Sequence, residues 1–375
     1  MFDSKHYVPI LKGKKGELAA LAKAESIQHF TPLVEVMPIP LTYPEEGEPY
    51  LSKTIDKHIK DTAASFIRAM GILPSVFVDG LHLERERKLQ DGSWPLAALL
   101  FALRRGRINF IPTIGLDRVE HCADVVRDSI TKDRRGCCLR LWESDLEAMS
   151  DLGSQIDSLL SVLNVKATEV DLLVDFKDKV PSRVTLPLLI DALPRVDEWR
   201  SLILSSSSFP VNLGDVEKNS IEELERSEWA AWIFVRERQC KTKKRVPTFS
   251  DYGINHPDLV DDELDPRIIT MSPNIRYTSA ASYVIARGQA QPRKKRAKTT
   301  EQKNARQQLA PSIQYPKLSA MIKSHPSWKT RAFSWGDKFI DRCSQNQCSG
   351  NPSDWRGVGA SHHIALVVQQ IANLP

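Results

Sequence analysis

A chain of 375 residues, 41% hydrophobic and 26% charged, holds enough apolar material to fill a core. No segment approaches the roughly 18 consecutive apolar residues of a membrane span, and the charged start MFDSKHYVPI is unlike a secretory leader. Six cysteines are too few for a disulfide scaffold, so a soluble protein of the reducing cytoplasm, with no membrane partner, is expected.

Short apolar runs that end on polar residues recur along the chain. YVPIL at 7–11 comes first, then FTPLVE at 30–35, SVFVD at 75–79, NFIPT at 109–113 and CCLRLW at 137–142. VDLLVDFK at 170–177 is the clearest, an apolar run stopping on Asp175, and two more follow at 201–206 and 246–250. Such runs read as buried parallel strands. Between them, apolar residues at three- and four-residue intervals predict helices at 16–24, 55–70, 95–105, 118–130, 145–163, 184–193 and 220–236. Ser144 before Asp145, and Asn219-Ser220 before Glu222 and Glu223, read as helix starts. About eight alternating strand–helix units predict an α/β fold, a (β/α)8 TIM-like barrel over 1–252. The alternative, an open doubly wound sheet, calls for a glycine-rich phosphate turn after its first strand, and KGKKG at 12–16 lacks that spacing.

In a barrel the C-terminal strand ends converge on one rim, where chemistry sits. They carry Lys12, Glu35, Asp79, Thr113, Arg140, Asp175, Ser208 and Asp251. Glu35, Asp79, Asp175 and Asp251 are the candidate catalytic carboxylates, either as acid and base or as ligands of a divalent cation, and Lys12 and Arg140 are suited to a phosphate. Equally, such acids can cap helices or neutralise the cations.

After residue 252 the alternation stops. Segments 253–334 read as a rim-covering insertion and 335–375 as C-terminal helices completing the barrel, with an apolar helix at 361–373 as its eighth outer helix. Trp328, Trp335 and Trp355 are expected to pack the cover onto the barrel. Cys343, Cys348, His362 and His363 are a weakly spaced zinc set. The tract 289–307 has seven Lys or Arg and one Glu, net +6, so the +5 of the whole chain leaves about −1 elsewhere. Arg293, Lys294, Lys295, Arg296 and Lys298 are its candidate nucleic-acid contacts. A second basic run, RERQCKTKKR at 236–245, falls on the opposite face.

YVPILKGKKGELAAL, FTPLVEV, SSSSFP, SDYG, IRYT, ARG and WRGVGASHHI, in that order, resemble the bacterial and phage "beta protein" family over nearly the whole chain. The resemblance picks out Lys12, Glu35, Asp79, Arg140, Asp175, Ser208, Phe209, Pro210, Asp251, Tyr252, Arg276, Tyr277, Arg287, Gly288, Trp355 and His363. It implies ligand-binding roles for Tyr252, Arg276, Tyr277, Arg287 and His363, beside Lys12, Arg140 and Ser208. A setting among mobile-element and phage-conflict genes, with a partner protein of the same operon, is implied in the same way. Two functions stay open: a hydrolase or phosphodiesterase-like enzyme acting on a nucleotide or nucleic acid, and a non-catalytic module that binds a ligand or partner through the barrel mouth and basic loop.

Overall fold

The computed structural model describes residues 2–83, 87–259, 267, 272–291 and 299–375. From the N-terminus come β1 (Tyr7–Leu11), α1 (Lys15–Leu21) and β2 (Leu33–Glu35). A small hairpin of β3 (Leu41–Thr42) and β4 (Tyr50–Leu51) precedes α2 (Ile55–Met70) and β5 (Val76–Asp79). Next are α3 (Pro95–Arg105), β6 (Phe110–Ile114), α4 (Val119–Asp133), β7 (Cys137–Trp142), α5 (Glu143–Glu147), α6 (Met149–Leu163) and β8 (Val170–Asp175). Then come α7 (Thr185–Ala192), β9 (Ser201–Ser205), β10 (Ser220–Glu225), α8 (Ser227–Thr242) and β11 (Thr248–Asp251).

Eight parallel strands close into a barrel in the order β1-β11-β9-β8-β7-β6-β5-β2. The alternation of strand faces sorts their side chains into two layers. Val8, Ile10, Leu33, Phe77, Ile111, Cys138, Leu173 and Ile203 fill the interior. Tyr7, Val34, Val78, Phe110, Cys137, Leu172 and Leu204 face outward into the larger core shared with the helices. The cysteine pair Cys137-Cys138 is thus divided between the layers as two small apolar side chains. In α2, Thr54 caps the first turn by accepting from the Lys57 amide, and Ile55, Ile59, Phe66 and Met70 lie buried toward the barrel.

The rest of the chain forms a cover. It comprises β12 (Asn274–Thr278), β13 (Ser282–Arg287), α9 (Thr300–Gln308), α10 (Pro311–Ser324), α11 (Trp335–Ser344) and α12 (Pro352–Ala372). β10, expected to start a helix, is instead an edge strand of an antiparallel sheet ordered β10-β13-β12. Ser220 pairs with Arg287 and Glu225 with Ser282, so a partner distant in sequence overrides the helix-like acids. On one face of this sheet, Ile275, Tyr277, Val284 and Ala286 pack with Tyr315, Leu318, Ile340, Trp355 and Val358. Trp335 opens α11 and Trp355 lies in the first turn of α12. Trp355 stacks on Tyr315 and Trp328 on Tyr277, so both tryptophans are packing residues.

The C-terminal helix starts earlier than its apolar part suggests, with Asn351 as N-cap and Pro352 in the first turn. Its Ile364, Val367, Val368 and Ile371 join the barrel's outer core, which makes α12 the eighth outer helix. It meets α1 almost backbone to backbone: a Cβ on Gly357 would lie 2.6 Å from the Gly16 carbonyl oxygen, and one on Gly16 would lie 2.3 Å from the Ser353 oxygen. Gly357→Ala must therefore push the two helices apart. Denaturant titration is expected to show a loss of about 1–3 kcal/mol, the usual range for overpacking; an unchanged midpoint would mean that the crossing is slack.

Candidate active site at the barrel mouth

The inward-facing positions of the interior layer continue two residues further along each strand. That step from Ile10, Leu33, Phe77, Ile111, Cys138, Leu173 and Ile203 gives Lys12, Glu35, Asp79, Thr113, Arg140, Asp175 and Ser205. Tyr252, the residue after β11, completes the ring. All eight are buried, none more than 5% exposed.

Arg140 is the hub. Its Nε and Nη2 donate to Asp175 Oδ2 at 2.9 and 2.7 Å, and its Nη1 to Asp79 Oδ2 at 2.7 Å. Nη2 also lies 2.9 Å from Glu35 Oε1 and donates to the Tyr252 hydroxyl at 2.7 Å. The Tyr252 hydroxyl in turn donates to Asp175 Oδ2 at 2.7 Å. The Leu81 and Lys177 amides donate to Asp79 Oδ1 and Asp175 Oδ1, so the loops after β5 and β8 are fixed by the same carboxylates. The Arg140 guanidinium lies 4.4 Å from the centre of the Trp142 ring, with the Lys177 ammonium 4.8 Å from it.

Two further members were hidden in the sequence. Arg118, at the end of a 3-10 turn after β6, reaches back so that Nη2 lies 3.1 Å from Asp79 Oδ1, and it is 2% exposed. His82, in the loop after β5, puts Nε2 3.3 Å from Glu35 Oε2 and keeps its side chain 23% exposed. Lys12 is held differently, with its ammonium donating to the Asp258 carbonyl. Three carboxylates (−3) and two guanidinium groups (+2) leave the buried cluster at −1.

Burial alone pushes a carboxyl up, but Arg140 and His82 overcome it and hold Glu35 at about 2. Burial likewise acts to lower Arg140, yet Tyr252, Asp175, Glu35 and Asp79 raise it well above its ordinary range. Tyr252 is pushed far up by burial, and it is therefore a neutral phenol suited to donating to Asp175. The guanidinium stands between Glu35, Asp79 and Asp175, where a cation bridging all three would sit. It supplies that positive charge itself, so these residues do not fit the divalent-cation site weighed from the sequence.

Other ligand sets fare differently. Cys343, Cys348, His362 and His363 do not converge: Cys343 lies in the cover's apolar cluster, while His362 binds Asp337 and the Thr278 carbonyl, and His363 binds Asp251 and the Thr278 hydroxyl. Among the described residues one group brings its donor atoms together, Asp178, His256 and Asp258. There His256 Nδ1 already accepts from the Asp258 amide at 3.2 Å. The ring proton is thereby left on Nε2, which faces Asp178 at 3.6 Å as a donor rather than a ligand.

Several expected site residues lie elsewhere. Asp251 points outward, because alternation puts it one residue out of step with the inward Tyr252. It accepts from Tyr7 Oη at 2.5 Å and lies 2.9 Å from His363 Nε2, under α12. Ser208 binds Glu228 and the Glu225 carbonyl at the start of α8, and the inward residue of β9 is Ser205. Arg276 donates to the Ile254 carbonyl, Tyr277 to Asp337, and Arg287 to the Gly214 and Val216 carbonyls, all fastening the cover. The basic candidates Arg293, Lys294, Lys295, Arg296 and Lys298 lie outside the described residues.

Two outcomes test this electrostatic account. Arg140→Ala removes the cation shared by three buried carboxylates, leaving Arg118 at Asp79 alone, and is expected to cost about 3–5 kcal/mol, whereas Asp175→Asn brings the −1 cluster to zero and should cost less; equal losses in denaturant would refute the charge argument. Glu35 titrates low in the fold, so its stabilisation is present above 4.5, the ordinary value, and is lost as pH falls toward about 2. Glu35→Gln should flatten the stability curve in that window, and an unaltered acid slope would contradict it.

No helix among the described residues is long and apolar enough to cross a membrane. No curated protein matches the chain. A solved structure described as PhdJ bound to substrate intermediate is similar at 12% identity, over 93% of this chain and 99% of that one. Its TM-score of 0.31 is too low to bear on function. A family model described as Beta protein matches residues 7–369, from the first barrel strand into the last turn of the terminal helix, and the chain belongs to that family.

Proposed function

We propose that the barrel mouth is an active site for acid–base hydrolysis of a phosphorylated substrate, a nucleotide or nucleic acid. The observation that carries this reading is the line Arg140–Glu35–His82. Arg140 keeps Glu35 ionised, so Glu35 takes a hydrogen bond from His82 Nε2–H and leaves the lone pair on Nδ1. A partly exposed imidazole held by a buried carboxylate is the usual arrangement of a general base.

In this mechanism Nδ1 takes a proton from water as the water oxygen attacks phosphorus. The P–O bond to the leaving group breaks, and the imidazolium returns the proton to the departing oxygen. Lys12 and Lys177 supply positive charge at the rim, and no metal is required of Glu35, Asp79 or Asp175. The Thr113 and Ser205 hydroxyls, buried in the same layer, have no hydrogen-bond partner among the described residues, which suits a polar ligand group reaching into the mouth. The family's implied setting among phage-conflict genes fits a nucleotide or nucleic-acid substrate.

One observation favours a second reading, recognition without catalysis: Arg140 and Asp175 are fully engaged with each other and with Tyr252. A screen of phosphomonoester and phosphodiester hydrolysis separates the two. His82→Ala should lower kcat about 100-fold or more with the fold intact, as loss of a general base does. Turnover that survives His82→Ala, or no turnover of any phosphoester by the wild type, would rule out the catalytic role.

A further inference from the structure

A concave site lies outside the barrel, between α1 and α2. It is a cavity of about 540 Å³ bounded by Gly13 and Lys14, by both helices, and by residues 37–40 after β2. That volume is within the roughly 300–1,000 Å³ range of small-molecule sites. Its apolar lining includes Leu18, Met37, Pro38 and Phe66.

The charges around it are one-sided. Lys14, Lys15, Lys53 and Arg68 line the cavity against a single acid, Asp61. Asp61 is already shared between Lys53 and Lys57, each 3.0 Å away, and these hydrogen bonds hold it below its usual range. Lys15 and Arg68 make no ion pair among the described residues. Cations that merely solvate a surface do not need an apolar hollow between them. Here an apolar hollow and uncompensated positive charge share one cavity, which suits an anion attached to a flat or apolar body.

We infer that the α1–α2 cavity binds a phosphomonoester carried on a nucleoside-sized body, with Lys15 and Arg68 at the phosphate and Met37, Pro38 and Pro40 against the ring. The site is separate from the mouth, although its Gly13 wall is shared: a Cβ on Gly13 would lie 2.6 Å from the Glu35 carbonyl oxygen and 3.1 Å from the Phe66 ring. The inference does not depend on the mouth being catalytic.

The chemistry fits either a free mononucleotide or the 5′-phosphorylated end of a strand. Calorimetry on the full chain, with adenosine 5′-monophosphate, adenosine, inorganic phosphate and a 5′-phosphorylated dinucleotide, tests both. The monophosphate should bind, with adenosine and phosphate each about tenfold weaker or worse. The double variant Lys15→Glu/Arg68→Glu should weaken it by at least about tenfold, and Ala22→Trp, which fills the cavity, should abolish it. His82→Ala should leave it unchanged. If the dinucleotide matches or exceeds the monophosphate the source is a strand end; if it is excluded the source is a free nucleotide. Absence of binding at millimolar monophosphate, phosphate binding as well as the nucleotide, or loss in His82→Ala but not in the charge-reversed variant would overturn the inference.

Discussion

One guanidinium organises the mouth of this barrel. Arg140, wholly buried, is bound by carboxylates from β2, β5 and β8 and by a phenol that follows β11. Those elements are distant in sequence, so the contacts form only when the sheet closes. Three buried carboxylates side by side would otherwise repel or neutralise themselves by taking up protons. Arg140 and Arg118 stand among them as counter-charges that fix their positions, and the ends of the strands become a rigid polar floor. The gain is geometric as much as energetic, since a buried ion network contributes little net stability yet is costly to break.

The cover is fastened by a related device. His362 and His363, neighbours on α12, turn to different partners. His362 meets Asp337 at 3.0 Å in the cover, and His363 meets Asp251 at 2.9 Å on the barrel. Thr278 of the cover sheet links the two rings, by its carbonyl to one and its hydroxyl to the other. The helix that closes the barrel therefore also holds the cover in place. Residues that the family resemblance singles out, such as Tyr277 and His363, act here as joints.

The barrel was legible because its signal is local. A strand such as CCLRLW announces both its burial and, by alternation, that Arg140 shares the inward face with Cys138. Glu35, Asp79 and Asp175 follow from the same counting. Alternation stops locating side chains where a strand end carries no apolar anchor. The run SSSSFP has no apolar marker of where β9 ends, so counting alone reaches Ser208 where the strand ends on Ser205. A single residue separates outward Asp251 from inward Tyr252. Arg118 and His82 sit in loops, whose paths depend on the finished barrel, and β10 depends on a partner strand found much later in the chain. Pattern gives the layers; it does not give the long-range closures.

The central claim is that the Arg140–Glu35 pair dictates the state of His82. Imidazole NMR of the full chain at neutral pH reads that directly. The account predicts the Nε2–H tautomer of His82 in the wild type, with this preference lost in Glu35→Gln. A wild-type ring protonated on Nδ1 alone, or a tautomer indifferent to Glu35, would contradict it.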